Sequence, residues 1–277
     1  MKPILVFLTV RNRLEITKKC VEALYKYTSR PVHLFVFDNL TQTRVDDHFN
    51  YFCDLYKQGK IKKYVVNTTE STCNCFSKAT SWNEMGLFVE THPNKEMYDW
   101  ILCIDNDMII IEPGWDDIIK ETMEVVEKKV PDIMIYTQAP GGVSGTEITI
   151  PIKGKDVSAR IGVNGGSGFW NVPTDFFSKI GLLELEPLVN INKRHDLNLW
   201  EKLNEWSNGT PYTFAINLPL ALHTGYYNGQ DLSICKKTRN NPSLNIDFEE
   251  FDTIVGDMNF EEFITWIKKD QEVFRKW

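Results

Sequence analysis

In the first 112 residues, four apolar, β-branched runs alternate with three stretches of helical periodicity, and this alternation constrains the fold most. The runs are 3–10, "VHLFVFD" at 32–38, "KYVVN" at 63–67 and "WILCIDND" at 100–107. Between them lie "EITKKCVEALYKYT", with Ile16, Cys20, Val21 and Leu24 at helical spacing, "DDHFNYFCDLYKQG", closed by Gly59, and "FSKATSWNEMGLFVETH". Strand–helix repetition of this kind predicts an α/β fold with a mostly parallel sheet covered on both faces. Ligands of such sheets bind at the carboxyl ends of the strands. Asp38 and the pair Asp105 and Asp107 stand at such ends.

The fourth run raises a question of its own. "ILCIDNDMIII" is apolar on both sides, yet it holds two carboxylates at its centre. Burying them unpaired is costly, so the segment needs a counter-charge or an exit from the core. If the backbone stays extended, the two acids point to the same side and can face one divalent cation. Equally, the doublet can cap the turn that follows the strand, helped by Asn106.

Composition narrows the choices. The net charge of −7 argues against general binding to nucleic acid or to anionic membranes. The short basic runs, with Lys57, Lys60, Lys62 and Lys63 in one and Lys236, Lys237 and Arg239 in the other, read first as solvated surface. No apolar run approaches the ~20 residues of a spanning helix. "PILVFLTV" meets the charged "RNR" without a cleavage site, so a first strand is expected there, in a cytoplasmic chain. The six cysteines lack zinc-like spacing and are expected to be reduced structural thiols; Cys73 and Cys75 form one CxC pair. No P-loop, dinucleotide fingerprint or G-x-S-x-G elbow is present.

The second half is less regular. A helix at about 115–129, the strand "DIMIYTQ", a hairpin "EITIPIKGKDVSARIGV" and helices at "TDFFSKIGLL" and "RHDLNLWEKLNEWSNG" are expected. The tail 247–277 has helical periodicity and is expected to pack back on a single domain. That domain divides into a nucleotide-side half, 1–112, an acceptor-side half, 113–245, and the C-terminal helical segment, 246–277.

The order of the motifs carries a resemblance. "FLTVRNR" ends the first strand, "FDN" the second and "IDND" the fourth; "GVNGGSGFWNVPTDFFSKIGLLE", "HDLNLWEKLNEWSNG" and "ALHTG" follow. Over residues 4 to about 225 this resembles the GT-A fold glycosyltransferases, most closely the inverting enzymes of glycosyltransferase family 2. The resemblance implies a Rossmann-like, mostly parallel central sheet flanked by helices, with a smaller acceptor-side antiparallel sheet. It implies transfer of a sugar, of the hexosyl type, from a nucleotide-sugar donor such as a UDP-sugar to an acceptor hydroxyl by direct displacement. It also implies Mn²⁺ (or Mg²⁺) as cofactor.

Carried over by position, Asp107 would bind the metal and Asp105 would contact the ribose or reach the metal through water. His223 would complete the metal shell, although a histidine in a loop before Gly225 can also be held by ordinary hydrogen bonds. Asp196 would be the general base, the helix N-cap, or both. His195 stands where the family usually has an acid or Gln, and its role is open. Asp38, Asn39, Thr9, Arg11 and Arg13 would line the nucleobase pocket, with Lys78 and Asn83 closing over the nucleoside. Asn39 replaces a second family Asp, which weakens the case for uracil. Gly166, Ser167 and Gly168 would let the backbone approach a sugar. Trp170 would either stack on a sugar or belong to the core. The acceptor would be a glycan or related hydroxyl compound; the sequence fixes no oligomeric state. One alternative is a virus-type enzyme acting on a hydroxymethylated base in DNA, using the basic runs as a rim and Trp170, Tyr226 and Tyr227 for stacking. Another is an inactive nucleotide-sugar-binding protein.

Overall fold

The computed structural model describes residues 1–39, 41, 43–67, 74–130, 132–138, 145–163, 168–183, 195–224 and 248–274; for 74–78, 195–198, 248–251 and 270–274 it describes the backbone alone. Strand β1 (Ile4–Val10) is buried along its whole length, and its alternation feeds two cores. Ile4, Val6, Leu8 and Val10 face one helical layer, whereas Leu5 and Phe7 face the other. Helices α1 (Leu14–Tyr27), α2 (Val45–Lys57) and α4 (Trp115–Glu127) line the first face. Helices α3 (Asn74–Thr91), α5 (Phe176–Ile180) and α6 (His195–Ser207) line the second.

The central sheet has nine strands in the order β3-β2-β1-β4-β9-β6-β10-β8-β7. In chain order they include β2 (Val32–Asn39), β3 (Ile61–Asn67), β4 (Ile101–Asp105), β6 (Ile135–Gln138), β7 (Gly145–Ile152), β8 (Lys155–Gly162), β9 (Phe169–Val172) and β10 (Thr213–Ile216). Strands β3, β2, β1 and β4 are mutually parallel, as expected from the alternation. Strands β8 and β9 run against the rest. The β7–β8 hairpin extends the central sheet. The small antiparallel sheet is instead formed by β5 (Met108–Ile110) and β11 (Ala221–His223).

Of the two ways out for "ILCIDNDMIII", a counter-charge within the core or an exit from it, the chain takes the exit, and β4 ends at Asp105, two residues before the expected end of the strand. The chain leaves the central sheet at Asp105, turns through Asn106 and Asp107, and enters the second sheet at Met108. The two acids therefore stand on a turn between two sheets, where each is half-buried, and not on one face of a continuous strand.

The C-terminal helices α7 (Phe248–Asp257) and α8 (Phe260–Phe274) pack onto α1 and the first core. Val255, Phe260, Phe263, Ile264 and Ile267 are buried there, each worth roughly 1.5–3 kcal/mol relative to exposure. Gly256 meets Glu15 so closely that an added Cβ would lie 2.9 Å from its Cγ.

Candidate active site

The turn between β4 and β5 is held from inside by its middle residue. Asn106 is buried; its amide donates to the Asn12 carbonyl (3.1 Å) and the Thr17 hydroxyl (2.8 Å), and its main-chain N–H donates to the Thr9 carbonyl (2.9 Å). With Asn106 pegged beneath, the flanking carboxylates face outward over the carboxyl ends of β1 and β4. Thr9 pairs with Asp105 in the sheet register, and its hydroxyl donates to the Asp105 carboxylate. Thr9 thus orients Asp105. Gly168, at φ +118°, lies on the other side: a Cβ there would stand 3.4 Å from Asp105 Oδ2 and 3.2 Å from Met108 Cγ. A side chain would press on the carboxylate, so this position suits glycine for space and for conformation.

Asp107 draws in two more elements. Antiparallel pairing sets His223 opposite Met108, which brings the imidazole Nε2 to 3.5 Å from Asp107 Oδ1. The Asp107 carbonyl accepts the N–H (2.8 Å) and the hydroxyl (2.9 Å) of Thr224. The Gln138 side chain clamps the start of β11: its Oε1 accepts from Leu220 N–H (2.6 Å) and Ala221 N–H (2.7 Å), and its Nε2 donates to the Ala221 carbonyl. From the other side, Arg13 Nη1 lies 3.1 Å from Asp107 Oδ2, with Arg13 16% and Asp107 17% exposed. The guanidinium of Arg13, which was expected to line the nucleobase pocket, lies at the acidic turn. Below the turn, burial pushes the Cys20 thiol up, with Asp107 and Asp105 adding to the shift, so it remains a thiol.

Asp38, at the end of β2, is only 3% exposed. Its Oδ1 accepts from the Thr41 N–H (2.9 Å) and hydroxyl (2.6 Å), and its Oδ2 from the Tyr64 hydroxyl (3.2 Å). Burial, followed by the charge of Asp38, pushes that phenol up. Asn39 is also buried and accepts from the Ser81 hydroxyl. Asp38 thus shapes the loop after β2, and Asn39 ties the end of the strand to α3. Arg11 is half-buried in the loop after β1.

The sequence matches no family model. Among curated proteins it is similar to "Uncharacterized protein L142" of Acanthamoeba polyphaga mimivirus, 25% identical over 121 residues, covering 44% of this chain and 23% of that protein. The chain therefore spans about a quarter of that relative. Among solved structures, GalNAc-T7 with UDP, GalNAc and Mn²⁺ superposes with a TM-score of 0.51 at 10% identity, covering 98% of this chain and 54% of that one. The fold is that of the GT-A glycosyltransferases. TarS of S. aureus, residues 1–349, has a TM-score of 0.48 at 11% identity, covering 92% of this chain and 69% of that one. The mannosyltransferase PcManGT from Pyrobaculum calidifontis, in complex with GDP-Man and Mn²⁺, has 0.47 at 8%, covering 94% and 69%.

Within this GT-A fold, the acidic turn is the place to test for a divalent ion. Among the described residues no three His, Cys, Asp or Glu side chains form a ready-made ion cage. Asp107 and His223 still offer a hard oxygen and a borderline nitrogen facing each other, beyond strong hydrogen-bonding distance, with Asp105 on the same turn. Mg²⁺-type ions are commonly held by one or two carboxylates plus substrate phosphates. The donor set fits such an ion.

Trp170, for which stacking on a sugar and a place in the core were both open, and Asn83 make their described contacts within the fold. Trp170 is 2% exposed and wedged between Trp82 and Trp200, with ring centroids 5.2 Å away on either side. It has no face for a sugar; the row of rings seats α6 on the sheet. Asn83 spends its amide on Leu183, donating to the carbonyl (2.8 Å) and accepting from the N–H (2.7 Å). His195 and Asp196 begin α6, and Lys78 lies in the first turns of α3, but their side chains are outside the described residues. So are Gly166 and Ser167, together with Tyr226, Tyr227 and the basic run at 236–239. The other basic run sits at the wrong end of the sheet for a rim. Lys60 precedes β3 and Lys62 and Lys63 lie in its first half, roughly 13–23 Å from its carboxyl end at ~3.3 Å per residue. Lys57 pairs with Asp54, and Lys63 lies over the Phe88 ring. No described helix is long and apolar enough to cross a membrane.

Sequence reasoning gave Asn106 only as a helper in capping the turn, and it missed Gln138 and Asp252. Only Asn106 had a local signal, since a buried amide between two outward acids is what a pegged turn requires.

Proposed function

We propose that this chain is a metal-dependent, inverting glycosyltransferase that moves a sugar from a nucleotide-sugar donor, UDP-linked in the first instance, to an acceptor hydroxyl. The observation that carries the reading is the meeting of Asp107 and His223, which are distant in sequence, 3.5 Å apart at the carboxyl edge of the sheet. Mn²⁺ or Mg²⁺, when bound, supplies Lewis-acid stabilisation of charge on the departing nucleoside diphosphate. Asp107 and His223 would hold the ion, and Asp105, fixed by Thr9 and by the close approach of Gly168, would contact the donor ribose. Asp38 and Arg11 border the nucleobase. Asp196, at the start of α6, takes the proton from the attacking hydroxyl, and one base acting once is the requirement of a direct displacement. A carbohydrate hydroxyl is the acceptor class proposed, because the described basic cluster lies away from the site and offers no nucleic-acid rim beside it.

The test is a panel of UDP- and GDP-sugars incubated with the purified chain and Mn²⁺, read by release of nucleoside diphosphate. Asp107→Ala should lower the rate about 100-fold or more, because several kcal/mol of charge stabilisation are lost. Full activity in EDTA, or in that variant, would refute the metal assignment. Tight donor binding without turnover would make the chain a binding protein.

A further inference from the structure

The metal site carries a counter-ion of its own. Arg13 precedes α1 in the left-handed region (φ 57°, ψ 62°), directly after Asn12, which is also left-handed (φ 53°). This conformation costs non-glycine residues energy and is held here by the bonds of Asn12 and Asn106 across the loop. It directs the guanidinium to Asp107 Oδ2, at 3.1 Å, while Oδ1 faces His223. The α1 N-terminus itself is closed to a phosphate: Asp252 accepts the N–H groups of Glu15 (2.9 and 3.0 Å) and Ile16 (3.0 Å). An anionic donor at this edge must therefore find its positive charge in side chains or in a bound ion.

We propose that Arg13 is a tethered cation that neutralises Asp107 before the metal arrives, yields Oδ2 to the incoming divalent ion, and then binds the donor's diphosphate. The inference rests on the metal-dependent nucleotide-sugar reading and gives Arg13 a place in it. The charges support the exchange. Two carboxylates, Asp105 and Asp107, balance one divalent ion, and a diphosphate then brings negative charge that the ion alone does not match. A guanidinium already beside the carboxylate is the side chain best suited to take up phosphate oxygens in pairs.

The proposal makes two measurements move in opposite directions. Mn²⁺ binding to the purified full chain without nucleotide is followed by the electron paramagnetic resonance of the free ion. Binding of UDP and of GDP is then measured at saturating Mn²⁺ by calorimetry. Arg13→Met should tighten Mn²⁺ about three- to tenfold, since a competing positive charge is gone. The same variant should weaken the nucleotide about tenfold or more, since a charged hydrogen bond to phosphate is gone. Weakening of both, or no change in either, would overturn the proposal, because misfolding or a purely structural ion pair gives those patterns. The parent reading fails separately: the wild type would then bind no Mn²⁺, or Asp107→Asn would bind it as well as wild type, or neither nucleotide would bind at all. The inference falls with it in those cases.

Discussion

Asp252 is the residue through which the C-terminal helices should reach the candidate site. It sits in α7, 5% exposed, and accepts three close contacts from the first turn of α1. The residue before that turn, Arg13, has no capping side chain of its own, so Asp252 does from a distance what an N-cap does locally. Asp252→Ala leaves the N–H groups of Glu15 and Ile16 without an acceptor in a buried position. Each unsatisfied buried donor costs about 1–3 kcal/mol, and loss of a cap about 0.5–2 kcal/mol. These terms overlap, so a total of about 2–4 kcal/mol is expected. Asp252→Asn keeps an acceptor and loses the interaction of the charge with the helix dipole, about 1 kcal/mol. Urea denaturation measures both variants, and hydrogen exchange of residues 14–20 locates the damage. The alanine variant should exchange much faster in that segment, with Asn in between. Wild-type stability and unchanged protection of the first turn of α1 would refute the strap.

Three more outcomes follow from particular packing contacts. Gly168→Ala forces φ +118° on a residue with a Cβ that meets Met108 at 3.2 Å, so a loss of about 1–3 kcal/mol is expected in denaturation, together with weaker donor binding through the displaced Asp105. Trp170→Ala empties the place between Trp82 and Trp200 and should cost about 3–5 kcal/mol, whereas a raised donor or acceptor KM at unchanged stability would restore a sugar-stacking role. His48 is 1% exposed with neither ring nitrogen hydrogen-bonded, and burial lowers its pKa, opposed by Asp38 and Asp252. The unfolded chain then binds the extra proton first, so stability should fall as pH drops below about 6.5, by up to ~1.4 kcal/mol per pH unit. His48→Phe should flatten that part of the stability–pH curve, as read by urea midpoints from pH 7.5 to 5.

The elements legible in the sequence were those whose burial is two-sided or whose periodicity runs for several turns. β1, β2 and β4 are continuous apolar runs because helices cover both faces, and α1, α2 and α4 repeat their apolar residues at helical spacing. β5, β9 and β11 are strands of three or four residues whose existence depends on partners far along the chain. "FWNV" reads locally as part of a loop; it becomes a strand only by pairing with β4 and β6. The site divides in the same way. That Asp38, Asp105 and Asp107 stand at strand ends could be read directly, but the approach of His223 to Asp107 needed the order of motifs, since no local pattern pairs them. Asp252 had no signal at all, because one acid in an acidic tail looks like solvent-facing charge until the tail folds back.

The geometry of "DND" shows why two acids can sit at the centre of an apolar run. Had the strand continued straight, Asp105 and Asp107 would have shared one face of a packed sheet, with Asn106 on the other. The turn reverses that cost. Asn106 goes inward, where each of its donors has a partner, and the flanking acids go outward to Thr9, Arg13 and His223. The apolar residues on either side are then needed twice over: "ILCI" completes the central sheet and "MII" begins the small one. Because β5 pairs with β11, the same turn that exposes Asp107 also fixes where His223 must stand. Fold and candidate site are thus one constraint. A change that slipped the β5–β11 register by one residue would turn His223 to the other face and separate the pair, leaving the nine-stranded sheet unchanged.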